Sequence, residues 1–532
     1  MRLSSLVSFV RIHFLIVLPL LVGGCVTMTA APDPLKVAPR DGTSTVVVSV
    51  TTNTAEIRGF DGLVVRKINA PGVNVVDLNS LNLIVPGLAR DTSVFIGMLP
   101  EGEYEFAEFT DLKSNRKLAL GQGQRDLIGR FRVTRDKPVD LGRLVLTPAN
   151  YNVVMGRSET VTSNKPLLEK FAPEYAALLK GEPSDGWLRF RSRDDTIEQY
   201  ALSRPVGLDY PVELEDGTVV GASRLGTVLV RSPGGKWRLI RSAGIESLLC
   251  AMPVKLSDAS LIAVGEFNTM LRLAHDSRLL TPIGAGNLPP GNLIFIAGDE
   301  THGWYVAQQR ADEVVFYRSA KLENGDWHAL RKESVGRSFW NGADQIWIWR
   351  TPLGFSYAVS DGRISHLDFG STEWRVVKAP NDSRLINVSP NPDDSIGILT
   401  SPGGGMGGVF AGTHLSQDQG TTWREIVPPN KIKQSPPIRM PGGPVMTVSL
   451  SGVFSGVSEL HASRDEGATW EKRDGFRAGE RLLPLKSGRM LSIQPGTRGV
   501  FSVATSVDEG RSWRVEYSNF DNALYEAQQK KK

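Results

Sequence analysis

Cysteine is nearly absent from this chain: there are two in 532 residues, Cys25 and Cys250. That rules out a disulfide framework as the main support, so the fold must rest on a large apolar core. An excess of charge of one sign is missing as well. Lys and Arg number 61 against 57 Asp and Glu, a formal net charge of +4. Without Arg2 and Arg11 the excess falls to +2. The longest basic run, Lys530-Lys531-Lys532, closes a short solvated tail at 521–532. Such a balance gives nucleic-acid binding no support. Histidines 275, 302, 328, 366, 414 and 461 are scattered without metal-ligand spacing, and neither a metal nor a cofactor is expected. The glycine-rich run from Ser401 to Gly408 lacks the Lys-Ser/Thr of a phosphate loop and reads as a flexible hairpin. No apolar run suits a spanning helix, since the one from Phe14 to Leu21 is too short.

That short run belongs to an export signal at 1–24, with Arg2 and Arg11 as its positive end. Val22-Gly23-Gly24 before Cys25 resembles a bacterial lipobox. The resemblance implies that the Cys25 thiol takes a diacylglyceryl group and that cleavage precedes an acylated Cys25. A plain signal peptide with a chance cysteine is the alternative. Val26 in place of Asp resembles the sorting rule of Gram-negative outer-membrane lipoproteins, which implies an outer-membrane location facing the periplasm or the surface. Residues 25–43, with Pro32, Pro34 and Pro39, read as a lipidated tether. Cys250, within Leu248-Leu249-Cys250-Ala251-Met252, reads as a buried, inert thiol.

Residues 44–150 carry short strands of period-2 alternation at 45–51, 93–98, 103–109, 129–133 and 141–147. Leu99-Pro100-Glu101-Gly102-Glu103-Tyr104 resembles a hairpin of small transthyretin-like and lipoprotein-associated β-sandwiches, and a β-sandwich is expected. A helical connector follows at 151–186. Asn164 caps it, Pro166 stands in its first turn, and Leu167, Leu168, Phe171, Tyr175, Leu178 and Leu179 form one apolar face.

Three octapeptides near the C-terminus share the pattern S-x-D-x-G-x-[ST]-W. They are Ser416-x-Asp418-x-Gly420-x-x-Trp423, Ser463-x-Asp465-x-Gly467-x-x-Trp470 and Ser506-x-Asp508-x-Gly510-x-x-Trp513. In each, Asp is placed to accept turn N–H groups, Gly to take a positive φ, and Trp to open the next strand. The pattern resembles the Asp-box, or BNR repeat, of sialidase-type β-propellers. Its tryptophans stand 47 and 43 residues apart, the length of a four-stranded blade. Weaker copies run back through Ser365 to Trp374, Ser319 to Trp327 and Ser232 to Trp237, with a remnant near His275-Asp276-Ser277. The expected architecture is all-β: a small β-sandwich, then a propeller at 187–520 of about seven blades, six or eight being possible. The stretch from Trp187 to Tyr200 is expected to close the ring as a strand beside the last blade.

The Asp-box resemblance invites a search for sialidase chemistry, in which three arginines hold a sugar carboxylate. The opening arginine motif of that family is missing. Its nearest strings are Ser203-Arg204-Pro205 and Arg439-Met440-Pro441. Tyr210 with Asp209 and Glu213, and Glu266 with Asp299 and Glu300, are acid clusters without distinctive spacing, so the catalytic residues stay unknown. Trp347 and Trp349 share a strand face and suit packing between blades. Phe339-Trp340 is a second aromatic pair. Expected is a lipid-anchored binding or assembly protein of the cell envelope, held to the membrane, whose partner is an envelope protein or polysaccharide. An exo-glycosidase of sialidase type is the alternative.

Overall fold

The computed structural model describes residues 26–519 except 39–40, 70–75, 112–115, 150–151, 182, 189–196, 336, 339–341, 344, 402–410, 431, 453–456, 477–480 and 496–499. Cys25, Phe339-Trp340, the glycines at 403–408 and the tail at 521–532 lie outside the described residues. Among those described, no helix is long and apolar enough to cross a membrane.

Among the described residues the N-terminal domain has ten strands: β1 Val26–Ala30, β2 Thr43–Thr52, β3 Gly62–Lys67, β4 Val76–Ile84, β5 Thr92–Pro100, β6 Gly102–Asp111, β7 Arg116–Ala119, β8 Arg130–Val133, β9 Val139–Ala149 and β10 Asn152–Arg157. They run in the order β10-β9-β2-β5-β4-β3-β6-β7, with β1 on β4 and β8 on β6. Alternation sends Val46, Val48, Val50, Phe95 and Leu99 inward against Tyr104, Phe106 and Phe131. The opposite face of β2 and β5 is also covered: Val47, Val94 and Ile96 pack on Leu168, Ala172 and Leu179 of the connector. The helix therefore makes β2 a strand buried on both sides, which its unbroken valine run suits.

Four expectations are corrected here. The 25–43 segment is no free tether. β1 pairs parallel with β4, Ala31 donates to Ser80 O at 2.8 Å, and Ala31 and Asp33 are buried. Polar composition could not reveal that a strand edge was waiting for it. The 151–186 segment is not wholly helical, because β10 continues the sandwich beside β9, and the helices are confined to Lys165–Phe171 and Pro173–Ala176. The Leu99–Tyr104 stretch is no hairpin. β5 pairs with β2 and β4 while β6 pairs with β3, β7 and β8, so Gly102 turns the chain across the core. The Tyr104 hydroxyl donates to Pro100 O at 2.8 Å and braces that corner.

The fourth correction concerns ring closure. Trp187 packs on Phe106 and Phe131 in the sandwich core, and Ile197–Ser203 is a helix. Instead, the propeller consists of seven consecutive antiparallel units at 209–242, 248–282, 292–334, 346–378, 384–425, 432–473 and 481–518, blades 1 to 7. Among the described residues each blade supplies its own strands, and none is exchanged at the seam. Blades 1 and 7 join through side chains: Val206, Leu208, Val219 and Leu229 pack on Leu491, Ile493, Phe501 and Val503. Arg231 forms a buried ion pair with Glu516, Nε to Oε2 2.6 Å and Nη2 to Oε1 3.0 Å. Burial works to raise the Glu516 carboxyl, yet Arg231 and Arg514 hold it down at about 2. Blades 1 and 2 are also joined at their rims, where Arg241 and Ser242 pair with Leu279 and Leu280 in parallel.

Candidate functional site

The three octapeptides all link the third strand of a blade to its fourth. The weaker copies, and the remnant at 275–277 in blade 2, lie at the same junction. In each strong copy the Ser hydroxyl donates to the Asp carboxylate at 2.8 Å and accepts the Gly N–H at 2.7–2.8 Å. The other Asp contacts come from one residue, Thr422, Thr469 or Ser512, through its N–H at 2.8–2.9 Å and its hydroxyl at 2.6 Å. Each Asp thus takes one amide and two hydroxyls, fewer amides than the sequence suggested. The Thr422 and Thr469 bonds hold Asp418 and Asp465 at about 2. Asp508 also stands at about 2, where the Ser512 bonds outweigh its slight burial.

The glycines take φ of 88°, 96° and 79°, and each is preceded by another left-handed residue, Gln419, Glu466 or Glu509. Those residues receive arginines from the blade before: Arg375 Nη2 donates to Gln419 at 2.8 Å, Arg424 pairs with Glu466, and Arg464 pairs with Glu509. Trp423 and Trp470 donate Nε1–H back to Lys378 O and Val427 O at 3.0 and 2.9 Å. Trp513 packs against the buried cluster that includes Met446, Leu460 and Met490. The turns serve as ties between neighbouring blades, and each aspartate makes three hydrogen bonds within its own turn.

In an antiparallel meander, the turns between strands 1–2 and 3–4 share one end of the blade, and those between strands 2–3 share the other with the inter-blade links. The octapeptides occupy the first end. The sandwich sits on the second. Its Arg90 and Asp91 meet Asp209 at the entry to blade 1, Arg224 in the second turn of blade 1, and Glu266 in the corresponding turn of blade 2. Glu266 Oε1 also accepts the N–H of Arg90 at 2.8 Å and of Thr92 at 3.1 Å, and Oε2 accepts the Thr92 hydroxyl at 2.8 Å and Ser247 N–H at 3.1 Å. Burial and the nearby Asp91 push the Glu266 carboxyl up. Burial also opposes ionised Asp91, but Arg224 and Arg90 keep it charged. Asn53 and Arg143 extend the seam, to Val206 N–H at 2.9 Å and to Glu246 at 2.9 Å. Phe267, held at φ 54°, packs on Phe171 of the connector.

At the propeller axis the first strands of blades 1, 2 and 3 lie against one another. Blade 1 is bulged there between Asp209 and Val212, and Tyr210 sits at φ 44°. Such a conformation is costly for an aromatic residue and marks an over-determined site. Its ring meets Phe295 edge-on at 6.0 Å. Burial pushes the Tyr210 hydroxyl well above its usual range, aided by Cys250 and Asp209. Arg350, from the first strand of blade 4, crosses to blades 2 and 3. It donates to Ile296 O at 2.7 Å, Ala251 O at 3.4 Å and Cys250 Sγ at 3.1 Å, and its guanidinium lies 5.1 Å from the Phe295 centroid. Arg481, opening blade 7, donates to Leu208 O at 2.7 Å. Among the described residues, neither Arg350 nor Arg481 has an ion-pair partner.

The acid clusters considered from sequence are not brought together. Asp209 is paired with Arg90 at 2.8 Å, whereas Glu213 accepts Ser487 N–H at the far end of its strand. Glu266 is in the sandwich seam, while Asp299 turns back on its neighbour His302 at the opposite end of blade 3. The two arginine strings also have other uses. Arg204 ties the helix end to Asn519 O at 3.2 Å, and Arg439 bridges Asp393 at 3.3 Å and Glu466 at 2.9 Å. Trp349 is buried between blades 4 and 5, with Trp347 packed beside it. Arg350 and Arg481 were not singled out in the sequence. Their only signal was a place in the first strand of a blade.

No family profile and no curated protein matches the chain. Solved structures resemble part of the chain at low identity. One described as YCF48 bound to D1 peptide has 16% identity over 54% of this chain and 90% of its own, TM-score 0.39. YCF48 from Cyanidioschyzon merolae has 16% identity over 54% and 94%, TM-score 0.37. An ancestral GH74 enzyme has 11% identity over 59% and 46%, TM-score 0.39.

Proposed function

We propose that this chain is a binding or assembly protein of the cell envelope, anchored through a lipid on Cys25, whose propeller recognises an envelope protein or glycan. One observation carries the proposal. The acid groups considered as candidates are committed to structural partners, while Arg350 and Arg481 lie at the axis with no ion-pair partner among the described residues, Arg481 acting on the Asp209 carboxylate only from a distance. Glycoside hydrolysis needs two carboxyl groups facing a shared space about 5–9.5 Å across. Here Asp209 is engaged by Arg90 and Glu266 by the sandwich backbone. Two guanidinium groups near a held tyrosine suit a partner's carboxylate, phosphate or acidic sugar, by charge-assisted hydrogen bonds.

The test is crosslinking in intact cells, comparing the native protein with Tyr210→Phe and Arg481→Lys variants. An envelope component captured by the native chain and weakly by the variants, at equal melting temperature, supports the proposal. Equal capture by all three places recognition elsewhere. Turnover of a chromogenic glycoside or release of sialic acid by the purified protein would overturn it in favour of the exo-glycosidase.

A further inference from the structure

Large apolar side chains left in water are scattered along the propeller, at Leu279, Leu353, Val376, Val427, Val457, Val507 and Val515. The N-terminal strap differs. Met28, Leu35 and Val37 are 63%, 44% and 42% exposed within ten residues, next to a Lys36 side chain that is 79% exposed and whose ammonium pairs with Asp33 at 3.1 Å in the absence of lipid. These side chains are not on a loose arm. Met98 N–H donates to Pro32 O at 3.0 Å and Asn82 Nδ2 to Ala31 O at 2.8 Å. Buried Asp33 closes the turn beneath Leu35 by accepting its N–H at 3.1 Å, and it receives the Tyr175 hydroxyl at 3.2 Å. The Lys36 and Val37 N–H groups return to Asp33 O at 3.0 Å. Partly buried hydrogen bonds thus hold an apolar segment outward.

We infer that this strap is a membrane seat: Met28, Leu35 and Val37 enter the boundary layer of a phospholipid bilayer, and Lys36 reaches the headgroup phosphates. The inference rests on the proposed acylation of Cys25. β1 begins at the very next residue, so at about 3.3 Å per residue Met28 lies roughly 10 Å from the anchored cysteine. That reach bounds how far Met28 can stand from the lipid, and it is comparable to the ~5–10 Å thickness of the layer in which interfacial apolar side chains sit. A chain held so short leaves no room for a second protein between strap and lipid. A lysine flanked by apolar side chains can keep its stem in the apolar layer and its ammonium at the phosphates. Because Tyr175 ties the strap to the connector, and Phe171 meets Phe267 of blade 2, the seat would also fix the attitude of the propeller.

The experiment uses the full lipidated protein in vesicles of phosphatidylethanolamine and phosphatidylglycerol. An environment-sensitive fluorophore is attached through Leu35→Cys, Val37→Cys or, as a remote control, Val376→Cys. Cys250 is buried and does not compete for label. Labels at 35 and 37 should be quenched several-fold more by lipid-borne quenchers than by aqueous iodide, and the label at 376 the reverse. Adding Met28→Asp and Lys36→Glu should return label 35 to water without releasing the protein. If labels 35 and 37 stay open to iodide while Cys25 is acylated and the protein floats with the vesicles, the seat is refuted and the anchor stands. An unmodified Cys25 by mass spectrometry removes both.

Discussion

Replacing Arg231 with methionine should open the ring at the join between blades 1 and 7. Both side chains of the Arg231–Glu516 pair are 2% exposed, and among the described residues no shared strand holds the join. Removing one member of a buried pair strands the other's charge, which typically costs about 3–5 kcal/mol. Glu516 would keep Arg514 at 3.0 Å, but that side chain is 77% exposed and solvent-screened, so the loss should be near 3 kcal/mol. At about 2.1 cal/mol/K of unfolding entropy per residue, a chain of 532 residues loses roughly 3 °C in Tm. The double variant Arg231→Met with Glu516→Leu should recover most of it, because two apolar groups replace two desolvated charges. Calorimetry on the four proteins of the cycle measures the coupling, expected at about 2 kcal/mol. The pair also gives a pH dependence of known sign. The Glu516 carboxyl is depressed in the folded state, so its contribution is present above the ordinary glutamate range and is lost as pH falls toward about 2. Additive effects, with each single variant within about 0.5 kcal/mol of the native protein, would show that apolar packing alone closes the ring.

Three further outcomes are expected. Gly420→Ala should destabilise more than Gly467→Ala: both positions carry a positive φ, but a Cβ at 420 would lie 2.8 Å from Val377 Cγ2 while one at 467 meets nothing nearer than 3.5 Å, and melting curves of the pair decide it. Glu266→Gln places an amide among four N–H donors and a hydroxyl, so the sandwich should uncouple from the propeller and one calorimetric transition should become two, at a cost of about 2–4 kcal/mol. Burial, followed by the Arg375 charge, holds His366 at about 4. The unfolded chain takes that proton near 6.5, so stability should be full above that pH and decline as pH falls to about 4, a slope that His366→Gln should flatten.

How much of this protein was written in its sequence differs between local turns and long-range contacts. The octapeptides contain every partner they use, since Ser416, Asp418, Gly420 and Thr422 bond one another within a few residues. Their spacing therefore revealed the blades, and period-2 alternation likewise revealed β2, β5, β6 and β9, because each strand's pattern is its own. What stayed hidden depends on groups far apart in the chain. Arg90 and Glu266 are 176 residues apart, and Arg231 and Glu516 are 285 apart. No local pattern distinguishes such residues from solvated charge. The same holds for the strap after Cys25, which is polar and proline-rich by composition but becomes a strand because the edge of β4 offers it unpaired backbone groups. It holds too for Arg350, which the closing of the ring brings against Ile296 and Phe295 at the axis. Sequence alone determined the repeating unit through short-range hydrogen bonding and side-chain periodicity. Tertiary structure decided which charges are buried, which strand edges are covered and which residues meet at the centre, because those follow from closure of the ring and docking of the sandwich upon it.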